Sequence, residues 1–183
     1  MINCLRLYIK AADVLSEYVG RAVSLLVPGM VIVLLIEVGM RYFFKSPTLW
    51  AYDTAIFMYG YCGVLAGAYT LKHKGHIVVD VVYSLFSPRV KAVMNVLTGL
   101  LFFFFCVIFI IYTWKAAAVA IDGGHRANTQ WAPLVGHYRL ILPIGGGLLV
   151  IQGLANWLRD LHFAVTGREI VPAEAEHRPG DQS

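Results

Sequence analysis

Four long apolar stretches constrain this chain of 183 residues more than any other feature of its sequence. A bilayer core about 30 Å thick is crossed by about 20 apolar residues in a helix. The stretches that reach this length lie at residues 22–40, 49–71, 92–114 and 140–158. Because they are continuous and do not alternate between apolar and polar residues, they indicate helices and not barrel strands. The sequence therefore predicts an all-α membrane protein, with four transmembrane helices in one domain at residues 22–160.

The composition excludes several other classes of protein. Charged residues make up 14% of the chain, against about 25% in soluble domains. Three widely separated cysteines (Cys4, Cys62, Cys106) form no recognisable metal cluster or disulfide framework. The net charge of +4 is spread along the chain and does not form the basic stripe of a nucleic-acid-binding protein. Hydrolase, phosphate-loop and redox motifs are missing from the sequence. We therefore expect no enzymatic activity, no cofactor and no nucleic-acid partner.

The first 21 residues predict an amphipathic helix. One stripe is charged, with members three or four positions apart: Arg6, Lys10, Asp13, Glu17 and Arg21. The other face is mostly apolar and carries Leu5, Tyr8, Ala12, Leu15 and Val19. Such a helix either lies on the membrane surface or extends the first span, and the pattern favours the surface. At the other terminus, residues 161–183 predict a flexible polar tail.

The distribution of Lys and Arg predicts the orientation. Segments on the side of the two termini carry 10 of these residues, and the opposite loops carry 5. Since basic residues concentrate on the cytoplasmic side, we expect both termini to be cytoplasmic. The terminal segments are also longer, which reduces the difference in density.

Two carboxylates near one end of the spans are the ionisable candidates for function. Glu37 lies near the end of the first span and Asp53 near the start of the second, close to the same membrane face. Arg41 lies four residues after Glu37, so it can pair along the helix, or reach Asp53 across the short connection. One interpretation is a structural clasp, and the other is a proton or cation site. We favour the clasp, because neither carboxylate lies near the middle of a span.

Two histidines follow the second span, His73 and His76. They have the spacing of possible metal ligands, but a third ligand is not obvious. His76 can also bond Asp80 if that segment is helical. We favour the structural interpretation.

Small residues mark one side of the second span. Gly60, Gly63 and Gly67 permit a close helix neighbour, and the last two have the GxxxG spacing. Polar residues inside the spans are few and spread out: Asn95, Thr98, Gln152 and Asn156. Because a solitary transporter needs a polar site near the middle of the membrane, this pattern favours an accessory subunit.

The segment from Glu37 to Asp80 resembles the small membrane subunit of tripartite ATP-independent periplasmic (TRAP) transporters, the DctQ-like family. The matching pieces are Arg41-Tyr42-Phe43-Phe44, Ser46-Pro47-Thr48-Leu49-Trp50, Asp53, and His76-Ile77-Val78-Val79-Asp80. Asp53 stands where many members have Glu. Four spans and the chain length also agree, so the resemblance covers about residues 20–160.

The resemblance implies a set of partners and a role. A large membrane subunit, DctM-like, would carry the sodium and substrate sites, and a periplasmic binding protein would deliver an organic acid or related solute. The small subunit would be a static scaffold in the bacterial inner membrane, with membrane phospholipids at the joint. The alternative class is a stand-alone four-helix membrane protein, either a proton-coupled exporter using Glu37 or Asp53, or a membrane enzyme.

Overall fold

The computed structural model describes residues 2–73 and 88–167, which form five helices. In chain order they are α1 (Ile2–Ser24), α2 (Leu26–Phe43), α3 (Ala51–Lys72), α4 (Pro88–Asp122) and α5 (Gly136–Thr166). Four helical stretches of the described residues are long and apolar enough to cross a membrane, with α1 and α2 counted as one. The predicted all-α membrane protein with four spanning helices is confirmed.

The helices differ in length from the predicted spans. α4 has 35 residues and α5 has 31, so at 1.5 Å per residue both are longer than a bilayer core is thick. α5 continues through residues 161–166, which the sequence assigned to the tail, because these residues are still largely apolar. It ends at Gly167, whose left-handed backbone (φ 70°) suits glycine. The remainder of the predicted tail lies outside the described residues.

A single residue joins α1 to α2. Leu25 keeps helical backbone angles (φ −71°, ψ −18°), and its N–H donates to the carbonyl of Ala22 at 3.3 Å. The N–H of Gly29 in turn donates to the carbonyl of Leu25 at 3.3 Å. The chain therefore passes from α1 into α2 without a loop.

α1 crosses α5 instead of running alongside it. The hydroxyl of Tyr8 donates to the carbonyl of Ile151 at 3.0 Å, and the hydroxyl of Ser16 donates to Oε1 of Gln152 at 2.7 Å. Tyr8 and Ser16 are separated by about 12 Å along α1, yet they reach adjacent residues of α5. This arrangement requires a steep crossing.

The spanning helices form an open row. α2 packs on α3, α3 packs on α5, and α5 packs on α4, while α1 contacts both α3 and α5. Among the described residues, no comparable contact joins α2 to α5 or α4. Apolar side chains of the two outer helices are accordingly exposed: Val31, Leu35, Leu101 and Phe105. The row buries little of its apolar surface against itself.

Glycines set the close approach of α5 to its two neighbours. A Cβ added to Gly145 would clash with Val64 of α3, and a Cβ added to Gly146 would lie 2.7 Å from Cγ1 of Ile110 in α4. Two adjacent glycines therefore serve two different helices. A methyl group at either position would force the neighbouring side chain or its helix to move.

The predicted glycine face of α3 is divided. Gly60 meets the ring of Tyr138, and a Cβ on Gly67 would lie 3.3 Å from Cδ2 of Leu149, so both face α5. A Cβ added to Gly63 would meet nothing within 4 Å. The two glycines that pack closely on α5 are therefore Gly60 and Gly67, which lie seven residues, or about two helical turns, apart. Gly63 lies on the open surface.

Candidate functional site

Polar contacts concentrate at the two ends of the helix row. We call one end the loop end, because the connections at residues 44–50 and 123–135 lie there. We call the other the α1 end, where α1 crosses the last turns of α3 and the second half of α5. The candidate residues Glu37, Arg41, Trp50 and Asp53 all lie at the loop end.

Glu37 is the centre of the loop-end contacts and is only 7% exposed. Its Oε1 accepts hydrogen bonds from Arg41, from Nη2 at 2.6 Å and from Nε at 3.2 Å. Its Oε2 accepts from the backbone N–H of Thr48 at 2.9 Å and from the hydroxyl of the same residue. Both carboxylate oxygens are therefore occupied, which compensates for the burial of the charge.

The connection between α2 and α3 folds back to supply the Thr48 donors. The N–H of Ser46 donates to the carbonyl of Met40 at 3.2 Å, and Lys45 adopts a left-handed conformation (φ 51°). Pro47 precedes Thr48, and its ring fixes its own φ and restricts the backbone of Ser46. Trp50 occupies the N-cap position of α3 and is 40% exposed, as a residue at the membrane interface commonly is.

Asp53 has a different partner from the one that the sequence suggested. It is 4% exposed in the first turn of α3, where the helix dipole favours a negative charge. Its Oδ2 accepts a hydrogen bond of 2.6 Å from the hydroxyl of Thr129 in the loop 123–135. Among the described residues, no ion pair joins Arg41 to Asp53. Glu37 and Asp53 thus belong to two separate contacts.

The loop 123–135 is itself ordered by backbone bonds. The N–H of Val135 donates to the carbonyl of His125 at 3.0 Å, and the N–H of Ala127 donates to the carbonyl of Pro133 at 2.9 Å. The guanidinium of Arg126 donates to the carbonyl of Ala132 at 3.1 Å. These contacts hold Thr129 in place above the start of α3.

At the α1 end, α1 and α5 share a polar network around Gln152, which is fully buried. The amide nitrogen of Gln152 donates to Asp13 at 3.1 Å and to Asn156 at 3.4 Å, and its oxygen accepts from Ser16. Arg159 pairs with Asp13 and donates to Asn156 at 3.1 Å. This network connects residues that are far apart in the chain.

A second group of charges joins α1 to the end of α3. Glu17 accepts from Nζ of Lys72 at 2.8 Å, from Nε of Arg21 at 3.1 Å and from Nε2 of His73 at 3.3 Å. The ring of His73 also packs on Tyr69, with 4.4 Å between centroids. His73 therefore has structural contacts, while His76 and Asp80 lie outside the described residues.

The α1-end network was not predicted. The polar residues of the spans are spread out in the sequence, yet the fold brings Gln152 and Asn156 together with Asp13, and Asn95 together with Asp160 at 3.1 Å. A signal was available, because the carboxylates of α1 and the amides of α5 each recur four positions apart. Such a spacing places both members on one helix face.

The described residues thus carry structural contacts at both ends, and glycine and apolar contacts between them. Within residues 2–73 and 88–167, no group of three His, Cys, Asp or Glu side chains is arranged to hold a metal ion. These features define a multi-pass helical membrane protein whose polar side chains mainly connect its own helices.

The family of the chain follows from comparison with known proteins. Residues 30–163 match the family described as tripartite ATP-independent periplasmic transporters, DctQ component. The match spans α2 to α5, so the chain belongs to the DctQ family of TRAP transporter components. The resemblance seen in the sequence is confirmed.

A curated relative gives a second, more distant comparison. The chain is 24% identical over 125 residues to the sialic acid TRAP transporter permease protein SiaT of Haemophilus influenzae (strain 86-028NP). The similar segment covers 67% of this chain and 20% of the relative. The chain therefore corresponds to only about a fifth of that permease.

Proposed function

We propose that this chain is the small, non-catalytic subunit of a sodium-coupled TRAP transporter for an organic acid or related solute. It acts as a static scaffold beside a large DctM-like membrane subunit, and a periplasmic binding protein delivers the solute to their complex. The protein lies in the bacterial inner membrane with both termini in the cytoplasm. Membership of the DctQ family supports the role of a transporter component.

The observation that carries this proposal is the separation of polar and apolar contacts along the helices. Glu37 and Asp53 are occupied at the loop end, and Gln152 is occupied at the α1 end. Helix contacts between these ends use glycines such as Gly145 and apolar side chains. An open row held rigidly at both ends is suited to widening a scaffold within the bilayer.

The size of the SiaT relative supports a large partner. That permease contains a region similar to this chain in one fifth of its length. We infer that the other functions of such a permease are supplied here by a separate large subunit. The exposed apolar surfaces of α2 and α4 offer room for such a partner and for membrane phospholipids.

Reconstitution tests the proposal directly. The purified chain alone should show no uptake of organic acids into liposomes under a sodium or proton gradient. The same chain with the large subunit and the binding protein should show uptake that requires sodium. Uptake by the chain alone would instead support the stand-alone exporter, with Glu37→Gln and Asp53→Asn as the variants that test its proton site.

Cysteine labelling tests the orientation. Cys4 is exposed at the α1 end, and Asn128 is exposed in the loop 123–135. A membrane-impermeant maleimide applied from the periplasm should label Asn128→Cys in a Cys4→Ser background and should leave native Cys4 unlabelled. The reverse pattern would overturn the predicted topology.

A further inference from the structure

We propose that α1 is a binding site for anionic phospholipids, with its outer apolar face set among the acyl chains and its basic residues at the headgroups. The inference goes beyond the scaffold role and concerns a helix that precedes the family match at residues 30–163. It rests on how the fold divides the surface of α1 into three faces.

The first face packs on the rest of the protein. Ile9 and Ala12 are buried against Ala155, and Leu5, Tyr8 and Ile151 surround them. Ser16, further along the same face, is 2% exposed. This face fixes α1 rigidly across the end of the row.

The second face is apolar and uncovered. Leu7, Val14 and Tyr18 are 70%, 69% and 74% exposed, and Ala11 lies between them on the same stripe. The spacing of four, three and four residues makes this stripe continuous along the helix. Together with Lys10 and Leu15, these residues line a shallow open groove. So large an apolar stripe on one helix indicates contact with a membrane or another protein.

The third face carries the charges, and the fold neutralises its negative members with basic residues of other helices, although their side chains stay 21% and 25% exposed. Asp13 pairs with Arg159, and Glu17 pairs with Lys72. Arg6 and Lys10 remain exposed, and the side chain of Arg21 is 78% exposed although it contacts Glu17. The net charge on the exposed side of α1 is therefore positive, although the stripe contains both acidic and basic residues.

Anionic phospholipid matches both uncovered faces at once. An interfacial helix places its apolar face 5–10 Å into the boundary of headgroups and acyl chains, with Lys and Arg beside it. The hydroxyl of Tyr8 donates to the carbonyl of Ile151 within the last spanning helix, which keeps α1 at the level of the bilayer. A soluble acidic partner would match the basic residues but not the stripe of Leu7, Val14 and Tyr18.

Spin labelling of the full-length chain in lipid vesicles tests the position of α1. In a background without the three native cysteines, a nitroxide at Val14→Cys should be relaxed more by oxygen than by a water-soluble nickel complex. Lys10→Cys should show the opposite preference, and Leu101→Cys, which is 71% exposed on α4, provides the reference for lipid contact. Access of the nickel complex to position 14 would overturn the proposal.

Charge variants test the lipid preference. We measure the association of spin-labelled phosphatidylglycerol relative to phosphatidylcholine with the chain. Arg6→Gln with Lys10→Gln should lower this preference by up to about fivefold for each charge removed. The matched control, Lys45→Gln with Lys115→Gln, removes the same charge from exposed residues elsewhere. Equal losses in both double variants would show an effect of net charge and would overturn a site on α1.

The large subunit provides the last arm of the test. If position 14 becomes inaccessible to both reagents when the large subunit is bound, a protein covers this face and the lipid proposal is wrong. Continued access of oxygen in that complex supports it. Assembly is scored separately by co-purification, so a failure of lipid binding is distinguishable from a failure of the proposed scaffold role.

Discussion

Polar contacts hold both ends of the helix row, but Glu37 at the loop end and Asp13 at the α1 end bind partners at different distances along the chain. At the loop end, Glu37 contacts Arg41 and Thr48, which are 4 and 11 positions away. At the α1 end, Asp13 and Arg159 are 146 positions apart. Local contacts close a hairpin, whereas distant contacts decide how the first helix docks on the last. The comparison predicts different losses on mutation at the two ends.

The largest loss should come from Gln152→Leu. This substitution removes the partner of Ser16, Asp13 and Asn156 in a fully buried position. Asp13 and Asn156 keep their contacts with Arg159, so the hydroxyl of Ser16 and Oδ1 of Asp13 are the two groups that lose a partner. At about 1–3 kcal/mol for each such group, we expect a loss of about 2–4 kcal/mol. The free energy of unfolding in micelles, followed by tryptophan fluorescence, measures it. Gln130→Leu, on the exposed loop, is the matched control and should change stability little.

The loop end should respond more to Glu37 than to Arg41. Glu37→Ala leaves the Thr48 donors without their acceptor, so we expect a loss of about 2 kcal/mol in the same assay. Arg41 has a side chain that is 60% exposed, so water can replace part of its contact in Arg41→Ala and the loss should be below about 1 kcal/mol. If Arg41→Ala instead leaves the complex intact and abolishes transport, the clasp is the wrong explanation.

In the middle of the helix row, the effect of replacing a glycine by alanine on stability should depend strongly on its position. Gly145→Ala forces a methyl group against Val64, and the overpacking should cost about 1–3 kcal/mol. Gly147→Ala meets nothing within 4 Å, and alanine favours a helix, so stability should stay the same or rise by up to about 1 kcal/mol. Equal effects would show that α3 and α5 do not pack as described.

The smallest loss should come from the second contact of the loop end. Thr129→Val removes one hydrogen bond to Asp53, which should cost about 1 kcal/mol. Thr113→Val is the control, since that hydroxyl donates only to carbonyls of its own helix. Loss of protection from hydrogen exchange in the loop 123–135 would locate the effect.

The sequence predicted the features that depend on neighbouring residues, namely the spanning helices and an ion pair within one helix. The apolar stretches located the spanning helices, and the spacing of Glu37 and Arg41 predicted their ion pair. It did not predict that Thr48 would donate hydrogen bonds to Glu37, or that Asp53 would accept one from Thr129, 76 positions away. Those partners depend on loop conformations, which residue spacing alone does not define.

The faces of α1 show the same limit. The charged stripe was visible in the sequence, but not that Asp13 and Glu17 would pair with basic residues of other helices while Arg6 stays exposed. Gly63 was likewise grouped with Gly67 by spacing, although only Gly67 contacts α5. Which side of a helix meets a neighbour depends on the crossing of the helices, and several crossings satisfy one periodic pattern.

The row order has a consequence for synthesis in the cell. A ribosome releases α4 before α5, yet α5 is the helix on which α4 packs, and α1 also awaits the Asp13 partner on α5. The α2–α3 hairpin and the contact of α1 with α3 can both form before α5 is made. The row should therefore close late, with α4 surrounded by lipid until α5 is inserted beside it, and α1 gains its partner Arg159 only after translation has passed that residue.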